Sequence, residues 1–477
     1  MSKENQFCAF LNFPQSLFFT SFAPDFPNGF PIIKSIRYMK KNKFVLLVFL
    51  FVQTSGLIMA QNRQYRKLSI EEMFGLADKN SRSIRTCDMA VQEAGQAVKV
   101  AKNAQLPSLD VSLSASYLGD GWLADRNFSD GENAPMPHFG NNFALEASQV
   151  VYAGGAISHS IALAELQHQL AQLDKEKNKQ DIRFLLVGNY LELYQLHNQA
   201  EVYKKNIEQT RRLLEDIKAK QQEGLAIKND ITRYELQLKS LELALIQIEN
   251  SQKIINNQLV TTLGLPQETL IEADTGIIRE LPFLSPESQW QTTANTSSPI
   301  LKQAQLGIQQ AEQQEKIAKA EQLPSVALFA SEHLDGPITI EVPPIDKNFN
   351  YWYIGIGVKF NIASVYKSGK KVRLAKLSTQ KSIENEQLLQ DNIQTAVKAA
   401  HIRFAESFTT YDTRLKSLEL ADQNYEMIRY RYLNDLALIT DMLDASNSKL
   451  NAELQVANAR IDILYHYYQL KKAAGIL

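Results

Sequence analysis

Residues 101–109 read Ala-Lys-Asn-Ala-Gln-Leu-Pro-Ser-Leu, and residues 318–326 read Ala-Lys-Ala-Glu-Gln-Leu-Pro-Ser-Val. Each copy closes a polar stretch of helical composition and opens a short run of alternating apolar residues. Each is followed by a second apolar run and then by a long stretch without proline. A duplication of roughly 210 residues is far longer than the period of about 20–50 residues usual in solenoids. It predicts two large, similar halves of one pseudo-symmetric object.

Prolines mark where long helices can run. None occurs between Pro137 and Pro266, and none after Pro344. A proline inside a helix costs about 3 kcal/mol, and both windows are rich in Leu, Glu, Gln, Lys and Ala. In the last segment Leu443, Leu450, Leu454, Ala457, Ile461, Leu464 and Tyr468 share one seam, with Asn447 its polar member. In the first half Ile231, Tyr234, Leu238, Leu241, Leu245, Ile248, Ile255 and Leu259 do the same, with Gln252 the exception. This is the coiled-coil period. Glu223-Gly224-Leu225-Ala226 and Asn434-Asp435-Leu436-Ala437 break the two windows at an offset of 211 residues. Each half is therefore predicted to hold a helix of about 65–70 residues, a reversal and a returning helix of about 35. The longer one would span roughly 100 Å.

The apolar runs read as strand pairs at 107–117/141–151 and 324–332/351–362. Leu109, Val111, Leu113, Ala115 and Tyr117 alternate with Ser108, Asp110, Ser112, Ser114 and Ser116. Trp352, Ile354, Ile356 and Val358 alternate with Tyr353, Gly355, Gly357 and Lys359. Such segments of about 10 residues fit lipid-facing strands of a membrane β-barrel, although one strand alone fits a half-buried soluble sheet equally well. Tyr351, Trp352 and Tyr353 are read as an interfacial aromatic girdle. Loops rich in Gly, Asp, Asn and Pro join the strands of each pair. Four strands cannot close a useful barrel, and open edges are not tolerated in lipid. Two, three or four chains would supply about 8, 12 or 16 strands; the sequence does not choose among them, but about 8 would leave little lumen and about 12 would permit an aqueous pore.

Met39-Lys40-Lys41-Asn42-Lys43, the apolar Phe44–Val52 and Ala60 before Gln61 have the layout of a secretory signal peptide. The apolar run is shorter than the roughly 20 residues needed to span a bilayer. The chain divides into an upstream extension (1–38), a signal peptide (39–60), a first repeat (61–263), a linker (264–298) and a second repeat (299–477).

Bulk properties exclude several classes. The 477 residues carry a net charge of −1, so no nucleic acid or other polyanion is implied as a partner. Two cysteines, Cys8 and Cys87, are too few for a disulfide framework or a thiolate metal site. There is no His-Glu-x-x-His, phosphate-binding loop, dinucleotide fingerprint or nucleophile elbow. No catalytic residue, metal or cofactor is expected.

From residue 65 to 477 the layout resembles the TolC-type outer membrane efflux protein family. The match is strongest at Tyr432-Leu-Asn-Asp-Leu-Ala-Leu-Ile-Thr-Asp441-Met-Leu-Asp444-Ala445, which is similar to the family pattern Y-x-x-G-x-x-x-x-x-D-x-L-D-A. Gly224-Leu-Ala-Ile-Lys-Asn-Asp230 resembles its counterpart in the first half. Asp435 stands where the family has Gly, and Ala437 where some members carry a gate Arg.

The resemblance implies a mainly α chain of duplicated helical hairpins forming a tunnel. Its four strands would contribute to a trimeric 12-stranded barrel in the outer membrane. It implies an exit duct for efflux or type I secretion, docked to a periplasmic adaptor and an inner-membrane RND or ABC transporter. Gly224, Leu225 and Leu436 would contact the adaptor. Asp230, Tyr432, Asp441 and Asp444 would form the periplasmic entrance, where a ring of Asp favours cations. The alternative from another class is a soluble periplasmic coiled-coil adaptor or scaffold.

Overall fold

The computed structural model describes residues 65–274, 281–341, 343–434 and 436–477. The predicted signal peptide, the upstream extension and Asp435 lie outside the described residues.

The chain begins with a short strand, β1 (Tyr65–Leu68), and two helices, α1 (Ile70–Asn80) and α2 (Arg82–Lys102). Helix α1 starts at a capping box: Glu72 N donates to Ser69 Oγ at 3.2 Å and Ser69 N to Glu72 Oε2 at 3.0 Å. The first strand pair is β2 (Ser108–Tyr117) and β5 (Phe139–Ala153). The small hairpin of β3 (Gly121–Leu123) and β4 (Glu132–Ala134) lies in the loop between them. Then come α3 (Ala156–Gln222, 67 residues) and the returning α4 (Lys228–Leu263, 36 residues).

The second half repeats the plan. Pro299 opens α6 (Pro299–Ala320), suited to a first helical turn because its missing N–H needs no partner there. Strands β7 (Ser325–Gly336) and β8 (Phe349–Lys359) follow. Helices α7 (Ile362–Leu433, 72 residues) and α8 (Ile439–Ala473, 35 residues) complete the second hairpin. The duplicated long hairpins and the four strands read from the sequence are therefore present. Between the halves lie β6 (Leu270–Ala273) and α5 (Glu287–Ser297).

Strand β6 pairs in parallel with β1, an association of distant segments that the sequence did not announce. Tyr190 of α3 ties it down. Its hydroxyl donates to Leu68 O and accepts from Asp274 N, both at 2.7 Å. Asn256 bridges the same turn through Thr269 O and Ile271 N. Around them Leu68, Ile70, Met73, Leu186, Leu259 and Leu263 form one apolar cluster. Trp290 of α5 helps build a second with Leu301, Val397, Phe404, Ile463 and Leu470. These bonds give partners to backbone groups that the cluster encloses, as a buried connection requires.

The four long strands form one antiparallel sheet in the order β2-β5-β7-β8. Its register gives one mainly apolar face, which also carries Glu332 and Asn350 toward the β7–β8 loop, and one mainly polar face. One face carries Leu109, Val111, Leu113, Phe143, Leu145, Leu328, Ile354 and Ile356; the other carries Ser108, Asp110, Ser112, Ser114, Asn142 and Glu146. The apolar face is open: Leu113 is 79% exposed and Ile354 76%. Among the described residues, neither β2 nor β8 has a second neighbour.

Some readings of the strands change. Strand β7 continues past residue 332 to Gly336, because Leu334 and Asp335 still pair with Phe143 and Asn142. Strand β8 stops at Lys359 rather than 362, because Asn361 accepts from Ala363 N and starts α7. The girdle of Tyr351, Trp352 and Tyr353 does not exist as one surface. Neighbouring residues on a strand point to opposite faces; Trp352 shares the apolar face, and both tyrosines share the other.

Gly154 and Gly155 turn β5 into α3 with φ of +62° and +86°. A Cβ on Gly154 would lie 2.8 Å from Ala320 O and 2.9 Å from Leu323 Cβ, so no side chain fits.

Candidate functional site

The two reversals are built alike. Helix α3 ends with Leu225 N donating to Lys220 O at 2.8 Å and Gly224 N to Gln221 O at 3.1 Å, with Gly224 at φ +79°. This is a Schellman closure, which needs a left-handed residue. Helix α7 ends with Leu436 N donating to Arg431 O at 2.8 Å, the same bond 211 residues on. Its end is reinforced by side chains: Asn434 Nδ2 donates to Tyr430 O and Arg431 Nη2 to Leu436 O.

Each returning helix starts on an aspartate. Ile227 N donates to Asp230 Oδ2 at 3.2 Å, and Leu438 N to Asp441 Oδ2 at 3.0 Å. A carboxylate at that position satisfies an otherwise orphaned N–H and opposes the positive end of the helix dipole. The structure thus gives Asp230 and Asp441 local capping bonds. Asp444 stands one turn on, exposed, beside the buried Met442 and Ala445. The matching position of the first repeat is Arg233, also exposed, so the two tips differ in charge.

Both loops present apolar residues to solvent. Leu225 is 63% and Ile227 64% exposed; Leu436 is 67% and Leu438 69%. Composition alone did not single out Ile227 and Leu438, but their position at the same offset of 211 does. Beneath the loops Leu214, Ile217, Tyr234, Tyr425, Tyr432, Met442 and Ala445 form a buried cluster joining the two hairpins. Tyr432 is buried there, with Lys220 Nζ 5.1 Å from its ring centroid; Lys449 Nζ stands 4.6 Å over Tyr425. The Tyr234 hydroxyl is buried with no hydrogen-bond partner among the described residues. Burial pushes the Tyr234 and Tyr425 phenols above their ordinary range.

The predicted site residues thus separate into two layers. Gly224, Leu225 and Leu436 lie on the outer loops, while Asp230, Tyr432, Asp441 and Asp444 lie on the helices just behind.

Comparison with known proteins gives a consistent picture. Residues 74–265 match the family described as Outer membrane efflux protein. The outer membrane efflux protein BepC of Brucella suis biovar 1 (strain 1330) is 21% identical over 402 residues, covering 84% of this chain and 83% of its own. The outer membrane protein VceC of Vibrio cholerae superposes with a TM-score of 0.69 at 16% identity, over 85% of this chain and 96% of its own. The CmeC outer membrane channel of Campylobacter jejuni gives 0.69 at 18% identity, over 85% of each chain. The resemblance read from the sequence is borne out, and so is the mainly helical chain of duplicated hairpins with four long strands.

Proposed function

We propose, from the match of residues 74–265 to the outer membrane efflux protein family, that this chain is an outer-membrane exit duct. It is a passive conduit of a tripartite efflux or type I secretion system. The sheet lies in the outer membrane and the helical hairpins extend into the periplasm.

One observation carries this reading: a sheet with an open apolar face, unpaired at both edges, whose strands run into helices of 67 and 72 residues. Among the described residues no helix is long and apolar enough to cross a membrane. The apolar face of the sheet can meet lipid, but its edges cannot, because each unpaired backbone group in hydrocarbon costs several kcal/mol. Pairing β8 of one copy with β2 of the next removes both edges. Three copies give a barrel of about 12 strands with an aqueous interior.

At the other end Gly224, Leu225 and Leu436, with Ile227 and Leu438, form the surface for a periplasmic adaptor's helical hairpin. Asp230, Tyr432, Asp441 and Asp444 form the entrance behind it. Opening is a population shift: an adaptor that binds the open tip more tightly than the closed one moves the equilibrium by that difference. The inner-membrane partner is a transporter of the RND or ABC class.

The test is fractionation followed by electrophysiology. The full chain is expected in the outer membrane as an SDS-resistant trimer that conducts in planar bilayers. A freely soluble, non-conducting monomer would overturn the reading.

A further inference from the structure

The strand pair β7–β8 carries something its repeat mate lacks. On the face that bears the serines of β2, the register of β7 and β8 places Phe329, Ser331, His333 and Asp335 opposite Gly355, Tyr353, Tyr351 and Phe349. If the opposite, apolar face meets lipid, this face lines the lumen. We propose that it is a stacking track for planar aromatic cations on their way out. The proposal rests on the duct reading above.

The rings are already arranged as a stack. His333 and Tyr351 have centroids 5.1 Å apart at 14°, and Tyr351 and Phe349 5.2 Å apart at 24°. Tyr353 continues the series, 5.8 Å from His333 at 17°. The two terminal rings are open to solvent: Phe349 is 53% and Tyr353 44% exposed. A flat guest can therefore extend the stack without displacing a member.

Glycines shape the floor below it. Phe329 lies across Gly355 and Gly357; a Cβ on Gly355 would sit 2.6 Å from the ring. The ring occupies the space that a side chain at Gly355 would take. It meets Tyr353 edge-on at 6.0 Å and 74°.

Carboxylates beside the stack favour a cationic guest, while Lys359 lies further along the same face. Asp335 is on this face and accepts from the Tyr351 hydroxyl at 3.1 Å and from Asn142. Glu146 is exposed on the rung of Ser331 and Tyr353. A flat guest gains from stacking on an aromatic ring, and a cation gains further from the ring's negative face. Such rings in water serve no core. On β2, at the equivalent strand of the first pair, the same face carries serines.

The probe is proflavine, a planar aromatic cation, added to the full-length protein conducting in a planar bilayer. It should block the wild-type current, and Tyr351→Leu/Tyr353→Leu should raise the half-blocking concentration about tenfold at unchanged open conductance. Tyr353→Trp, which keeps a ring, should retain the block, and tetramethylammonium should not distinguish the variants from wild type. If the double variant does not insert, the single Tyr353→Leu at the exposed end of the stack must shift the block in the same direction. Equal proflavine block in wild type and leucine variants overturns the track, as does its loss in Tyr353→Trp. A wild-type protein that inserts but passes no current overturns the duct reading beneath it.

Discussion

Gln237 Nε2 on α4 donates to Asn447 Oδ1 on α8 at 2.7 Å, a half-buried hydrogen bond between the two returning helices. Asn447 is the polar residue that interrupts the apolar seam of α8, and this bond is its physical reason. A polar group in a helical seam lowers stability in exchange for a defined register. Replacing Asn447 by Ala should cost about 1 kcal/mol by leaving Gln237 without its acceptor. In a double-mutant cycle with Gln237→Ala, the coupling should be at least about 0.5 kcal/mol. Strict additivity would show that the two side chains act independently.

Gly224 and its surroundings separate strain from crowding. A Cβ there would meet nothing within 4 Å, but φ is +79°. Gly224→Ala should therefore destabilise the tip by about 1 kcal/mol through the backbone alone. Hydrogen exchange of the Leu225 amide, bonded to Lys220 O, should quicken accordingly. Unchanged protection would mean that the left-handed closure does not hold the tip.

Asp441 and Asp444 should behave differently, although both belong to the proposed entrance. Asp441→Ala removes the acceptor of Leu438 N and should loosen the start of α8, at about 1 kcal/mol. Asp444→Asn should leave stability within about 0.5 kcal/mol and weaken cation selectivity in planar bilayers. A current–voltage curve identical to wild type for Asp444→Asn would remove that residue from the entrance.

Tyr234 tests the buried cluster. Its hydroxyl is enclosed without a partner, so Tyr234→Phe should raise tip stability by about 1 kcal/mol rather than lower it. A loss of stability would mean that the hydroxyl finds a partner in the assembled trimer.

The phenols also set an alkaline limit. Burial pushes Tyr190 and Tyr468 up to about 12, from an ordinary 10. Between these values the unfolded chain has released protons that the folded chain retains, so stability falls as pH rises. The contribution of these two phenols should be constant below about pH 10 and decline toward pH 12, and Tyr468→Phe should shallow the slope. A denaturant midpoint that stays flat from pH 9 to about 11.5 would contradict this.

The helical part of the fold was legible because its signals are local. Proline-free windows, a period of 3.5 and paired interruptions at an offset of 211 residues all survive in one dimension. The alternation of Leu109, Val111 and Leu113 with serines showed a two-faced strand for the same reason. The candidate site was legible only in part. Asp230 and Asp441 were named through the family resemblance, yet their bonds to Ile227 N and Leu438 N depend on how the loops close.

The repeat, the hairpins and the strand pairs therefore follow from the order of residues, since periodicity is a property of neighbours along the chain. The parallel β1–β6 pair, the Gln237–Asn447 bond and the Tyr234–Tyr425–Tyr432 cluster follow only from packing. Each joins residues far apart in sequence, whose association depends on burial and register. The aromatic run at 351–353 shows the division most plainly. Its composition was visible at once, but the pleat sent Trp352 to one face and Tyr351 and Tyr353 to the other. Cross-strand register then stacked the tyrosines with His333, and no local rule in the sequence specifies that pairing.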